Sequence, residues 1–186
     1  AAVLSVRRFD SHYRHSNEQF LDKMEALCKG LIAEGRLPIV MIQSRAYGAD
    51  HDLEVARTLQ ERVPTTAIFD PFLESLPVPS WQLAMAVLFL VDLVVAVRFH
   101  TAVLALAAGR VPYHIHYSNK GQDLCQRLKL PGCHLDRFDP ATALPSIMAT
   151  HGLQFDHAQL RKRVSDDFRW CLSQLPPSLP IAALKG

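Results

Sequence analysis

Several things are scarce in this 186-residue chain, and each scarcity removes a class of function. The formal charge is only +2, so no cationic surplus is present to lie along a nucleic acid. There are four cysteines, Cys28, Cys125, Cys133 and Cys171, and none forms a C-x-x-C pair. A zinc ribbon is therefore a poor fit, and reduced structural thiols in a cytoplasmic protein are the expectation. Long apolar runs are missing too. The most apolar segment, Leu83 to Val97, is interrupted by Asp92 and falls short of the ~20 residues that a membrane span needs. The opening residues do not read as a signal peptide. No internal repeat or low-complexity tract is visible. No membrane span and no nucleic-acid partner are expected.

What is present is an apolar chain, 49% hydrophobic, with nine histidines. Its centre is the stretch Leu90 to Lys120, LVDLVVAVRFHTAVLALAAGRVPYHIHYSNK. Leu93 to Val97 is apolar at every position, as expected of a parallel strand buried on both faces. Arg98-Phe99-His100 follows directly. Cations at a strand end are costly to bury alone, so they point to a crevice. In open α/β sheets ligands occupy the crevice at the carboxyl ends of the strands.

Around this centre, strands and helices alternate. Ala2 to Val6 reads as a first strand ending on Arg7-Arg8. Asn17 is placed to cap a helix whose positions Phe20, Leu21, Met24, Leu27, Cys28 and Leu31 keep the helical period, with Gly35 ending it. Pro38 to Ile42 and Thr66 to Phe69 read as strands, separated by a helix that Asp50 would cap. Asp70 to Pro79 holds three of the twelve prolines and reads as irregular. Ser80 starts a helix whose apolar face, Leu83 to Leu90 with Trp81, is expected in the core. Thr101 to Ala108 reads as a helix stopped by Gly109, Val111 to His116 as a fifth strand and Gly121 to Leu128 as a helix. Cys133 to Leu135 could be a sixth strand, and Asp156 to Leu175 a final amphipathic helix.

This alternation predicts an α/β fold, a doubly wound Rossmann-like parallel sheet of about six strands in the order 3-2-1-4-5-6. Residues 1–150 would form that domain, and residues 151–186 a helix and tail packed on it. In that order the chain reverses between strands one and four, so Arg7 and Arg98 meet across one crevice although remote in sequence. His100 falls at the start of the next helix, where backbone N–H groups favour an anion. Arginine forks suit phosphate and carboxylate, and a small polyanion is the natural ligand.

Each residue has a plainer reading. Arg98 could pair with Asp92 or Asp70, His100 could cap its helix, and Lys120 could be ordinary loop charge. His114 and His116 share one strand face, but no third metal ligand is evident, so no metal is expected. His12 and His15 read as solvated. Asp50 and Asp52 follow Gly48 as cap or acceptor residues.

The segment from Val95 to Leu130 resembles the carboxyl-terminal half of polysaccharide pyruvyl transferases. The resemblance rests on Arg98-Phe99-His100, on Gly109 to Pro112 and on Tyr117 to Lys120. The opening AVLSVRRF is similar to that family's first strand, with Arg7 matching its arginine. Gly48 to Asp52 is similar to its acidic loop. The resemblance implies a two-domain fold of the GT-B type with the site in the cleft, this chain being the second domain and an N-terminal partner domain completing it. The chain enters a strand within two residues of Ala1, which fits an excised piece.

The chemistry that the resemblance implies is transfer of the enolpyruvyl unit of phosphoenolpyruvate to two hydroxyls of a sugar or lipid-linked glycan. Phosphate leaves, and no cofactor is required beyond the donor. Arg7 and Arg98 would clamp the anion. His100 would act as general acid or phosphate contact, and Lys120 as a further anion ligand. Two rivals use the same crevice. A GT-B sugar-nucleotide glycosyltransferase would want a carboxylate near the ribose, and none is convincingly placed. A non-catalytic anion-binding module would keep the fold without the chemistry.

Overall fold

The computed structural model describes residues 1–9, 16–46, 51–72 and 77–174. The expectations for His12, His15, Gly48 and Asp50 fall outside the described residues. In chain order the elements are β1 (Ala2–Leu4), α1 (Asn17–Ala33), β2 (Pro38–Met41), α2 (Asp52–Arg62) and β3 (Ala67–Phe69). There follow α3 (Ser80–Leu90), β4 (Leu93–Ala96), α4 (Phe99–Ala107), β5 (Tyr113–His116) and α5 (Asn119–Leu128). The last are β6 (Gly132–His134), α6 (Pro140–Met148) and α7 (His157–Ser173). The chain divides into two compact units, Ala1–Phe155 and Asp156–Gly186, the second carrying α7.

The six strands form one parallel sheet in the order β3-β2-β1-β4-β5-β6. β1 and β4 sit at its centre, and their apolar runs are the reason. Val3, Leu4 and Leu93 through Val97 are at most 1% exposed, which only a strand covered on both faces allows. Each such side chain contributes about 1.5–3 kcal/mol of burial.

Alternation divides the core in two. Leu4, Val6, Leu93, Val95 and Val97 face one cluster with Phe20, Met24 and Leu27 of α1, Val55 and Leu59 of α2 and Ile147 of α6. Val3 and Val94 face the other with Ala84 and Leu88 of α3 and Ala105 of α4. α1 is fixed at its start by a reciprocal capping box. The Ser16 hydroxyl accepts from the Gln19 amide, and the Gln19 side chain accepts from the Ser16 amide. Asn17 is thus one residue inside the cap, and its side chain instead accepts from the Phe9 amide at 2.5 Å.

α3 departs from its expected burial. Only Ala84 and Leu88 are buried, while Trp81, Phe89 and Leu90 are 59%, 66% and 82% exposed. A helix apolar all round gives no period from which to choose its inward face. α6 is an addition that the apolar period does not announce. Its signal is the pair Asp139-Pro140, in which the Asp139 carboxylate caps the Thr142 amide and proline takes the first helical position.

β5 turns Tyr113 and Ile115 into the first cluster, so His114 and His116 share the opposite face, as the alternation requires. There α5 comes very close. A Cβ on Gly121 would lie 2.7 Å from the His116 Cβ and 2.9 Å from the His114 Nε2. A Cβ on Gly132 would lie 2.2 Å from the His114 carbonyl oxygen. Glycine at both positions is what lets α5 and β6 close on β5. Gly121→Ala should cost about 1–3 kcal/mol by overpacking. The readout is the urea midpoint, which should fall with an unchanged slope.

Candidate functional site

The carboxyl ends of β1 and β4 are joined by hydrogen bonds before any ligand is considered. The Ser5 hydroxyl oxygen accepts from the Val97 amide at 2.9 Å and the Arg98 amide at 3.0 Å. Ser5 is fully buried, so these bonds are screened from water. They fix the point where β4 ends and α4 begins. In open α/β sheets, such a reversal between β1 and β4 is the point where a ligand crevice is expected.

Arg98 turns toward the face that carries α2. Its guanidinium forms an ion pair with Asp52, the first residue of α2, and its Nε donates to the Val6 carbonyl at 3.3 Å. Asp52 is fully buried and also accepts from the Gln43 and Ser44 amides, each at 3.1 Å. Burial pushes the Asp52 carboxyl up from its ordinary value, and the Arg98 guanidinium and the two amides pull against that shift. The Asp52–Arg98 pair therefore ties together the ends of β1, β2 and β4 and the start of α2.

The Arg98 side chain is only 11% exposed, and its Nε and Nη2 are both directed at the Asp52 carboxylate. Neither anticipated partner is the right one. Asp92 lies against Arg36 at 3.5 Å, and Asp70 bonds Arg45. The sequence signal for Asp52 is present but weak: an acidic residue at a helix start after the second strand, where its neighbour Asp50 competes as the cap.

The other expected residues lie along the same edge. Extending the β1–β4 register Leu4↔Val95 brings Arg7 level with Arg98. Arg7 then reaches over the end of β4, and its Nη1 donates to the Tyr117 hydroxyl at 2.5 Å. Its guanidinium carbon lies 4.7 Å from the Tyr117 ring centroid. Arg8 points elsewhere, to an exposed pair with Glu54 at 2.9 Å. Neighbours along an extended segment point to opposite sides, and these two do.

His100 is exposed in the first turn of α4. Lys120 lies in the first turn of α5, not in a loop, with its Nζ 5.1 Å from the Phe99 ring centroid. Arg7, Phe99, His100, Tyr117 and Lys120 all follow the carboxyl ends of the neighbouring strands β1, β4 and β5, with Arg7 against Tyr117 and Lys120 against Phe99. Tyr117 is the residue whose part here the sequence does not reveal, since a tyrosine ending an apolar strand reads equally well as core.

A separate groove of about 580 Å³ runs between α5 and β6, lined in part by His116, Cys125, Cys133, His134, Asp136 and Arg137. His116 and His134 are cross-strand neighbours with ring centroids 5.4 Å apart. Burial lowers the His116 pKa first, followed by the neighbouring His114 and His134. Burial holds the Cys125 thiol up at about 11. Among the described residues no group of three His, Cys, Asp or Glu side chains is placed to hold a metal ion.

Asp52→Asn would leave Arg98 buried beside a neutral amide. It should cost about 3–5 kcal/mol, the usual loss when one half of a buried pair is removed, measured by urea unfolding. A pH series tests the histidines. Burial lowers the His114 pKa against the hydrogen bond from its Nδ1 to the Ala96 carbonyl, 2.7 Å away. The unfolded chain then takes up protons near pH ~6.5, where the folded chain does not. Stability should rise with pH through that range and level off above it, and fall as pH drops below it. His114→Gln should flatten the slope.

Comparison with family models, with curated proteins and with solved structures returns no match, and the functional reading is carried by the site's own residues.

Proposed function

We propose that this chain supplies the phosphoenolpyruvate side of a polysaccharide pyruvyl transferase, forming a pyruvate ketal on two hydroxyls of a sugar or lipid-linked glycan. One observation carries the reading. Three stretches remote in sequence follow the neighbouring strands β1, β4 and β5, so Arg7, His100, Tyr117 and Lys120 all lie along the carboxyl edge of the sheet. These are the stretches on which the family resemblance rests. Phosphoenolpyruvate carries a carboxylate and a phosphate on the same carbon, and cationic side chains suit it.

In the proposed reaction the methylene carbon of the enolpyruvate takes a proton. Two acceptor hydroxyl oxygens form bonds to the central carbon, and the bond from that carbon to the phosphate oxygen breaks. One hydroxyl proton balances the proton delivered to the methylene carbon, and the other leaves with phosphate. Arg7 and Lys120 are assigned to the anionic groups and His100 to proton delivery. Arg98 is assigned to keeping the crevice in shape through Asp52. The glycan would sit largely on an N-terminal partner domain.

Calorimetry with phosphoenolpyruvate and with a sugar nucleotide tests the reading. Arg7→Ala should weaken phosphoenolpyruvate binding by about 10- to 150-fold, the loss of one charge-assisted hydrogen bond. His100→Ala should keep binding within a few-fold but lower phosphate release by about 10²–10⁴-fold when a partner domain is supplied. Binding of the sugar nucleotide alone would replace the proposal with a glycosyltransferase. Binding of neither, with no phosphate released, would leave a non-catalytic module.

A further inference from the structure

We propose that Tyr117 is a positioning residue for the anion site, holding the Arg7 guanidinium over the carboxyl end of β4. The inference rests on the proposed binding of phosphoenolpyruvate and goes beyond it by naming what gives the site its order. Arg7 follows β1 and Tyr117 follows β5, and β4 lies between those strands in the sheet. Neighbouring strands are about 4.8 Å apart, so the two backbones are separated by about twice that. Only two long side chains can close such a gap, and both contribute here. The Arg7 Nη1 donates to the phenol oxygen at 2.5 Å, and the guanidinium carbon lies 4.7 Å from the ring centroid.

The tyrosine is stiff where the arginine is not. Its ring packs on the larger core cluster and meets Phe9 edge-on at 5.4 Å. Phe9 in turn meets Phe20 of α1 edge-on at 5.1 Å, and its amide donates to the Asn17 side chain at 2.5 Å. The chain of contacts runs from the helix core to the phenol and ends on the guanidinium. An arginine side chain has many rotamers to lose. A guanidinium already held in place loses fewer of them when an anion arrives. Both the hydroxyl and the ring face contribute, so the two can be removed in turn.

The experiment compares wild type, Tyr117→Phe, Tyr117→Leu, Arg7→Ala and the double variant Arg7→Ala/Tyr117→Phe, with phosphoenolpyruvate and inorganic phosphate as calorimetric probes. Tyr117→Phe keeps the ring and should weaken phosphoenolpyruvate binding several-fold. Tyr117→Leu loses both contacts and should weaken it further. In the Arg7→Ala background Tyr117→Phe should change affinity no further, because the tyrosine acts through Arg7. A merely structural tyrosine would shift the urea midpoint without that graded, background-dependent loss. Equal affinity in wild type and Tyr117→Phe, or an undiminished effect in the Arg7→Ala background, overturns the role of Tyr117 alone. Failure of wild type to bind either probe overturns the anion site and, with it, this role.

Discussion

The ion pair between Asp52 and Arg98 is the constraint on which the carboxyl edge of the sheet depends. A buried carboxylate needs compensation for lost hydration, and here it has two backbone amides as well as a guanidinium. Those donors come from the segment after β2 and the end of β4, and the carboxylate itself opens α2. Such a pair adds little net stability compared with a well-packed apolar replacement, but losing one member is expensive. Its service is geometric. With the Ser5 hydroxyl bonded to the amides of Val97 and Arg98, it fixes where α4 starts and how the first turn carrying His100 is presented.

The cations along this edge therefore do different work. Arg98 is committed to architecture. Arg7 is braced by an aromatic post, and Lys120 lies over Phe99. Cation–π contacts of this kind are worth about 0.5–2 kcal/mol, and they hold a charge in place while leaving donors directed around it. On the sheet's other flank the same economy of space appears in uncharged form. Burial lowers the pKa values of His114 and His116, and Gly121 and Gly132 permit the close approach that buries them.

Much of this fold is legible in the sequence because the strands at its centre are almost wholly apolar. Leu93 to Val97 has no polar position and Ala2 to Val6 has only Ser5, and strict alternation of strand and helix matches the doubly wound strand order. Arg7, His100 and Lys120 stand in the sequence as polar side chains at strand and helix ends. Three things were hidden, each for a physical reason. The Asp52–Arg98 pair joins residues remote in sequence, and the nearby Asp50 competes in the sequence as the helix cap. The exposed side of α3 carries no polar marker, so Trp81 and Phe89 read as core. Tyr117 takes its part from a partner that arrives across an intervening strand.

The central claim is that the edge formed by the ends of β1, β4 and β5 is a phosphoenolpyruvate site. The most direct measurement is an amide chemical-shift map of the chain titrated with phosphoenolpyruvate. The account predicts saturable shifts concentrated at Arg7, at Arg98 to Thr101 and at Tyr117 to Gly121. An unchanged spectrum at millimolar ligand, or shifts confined to the groove between α5 and β6, would contradict it.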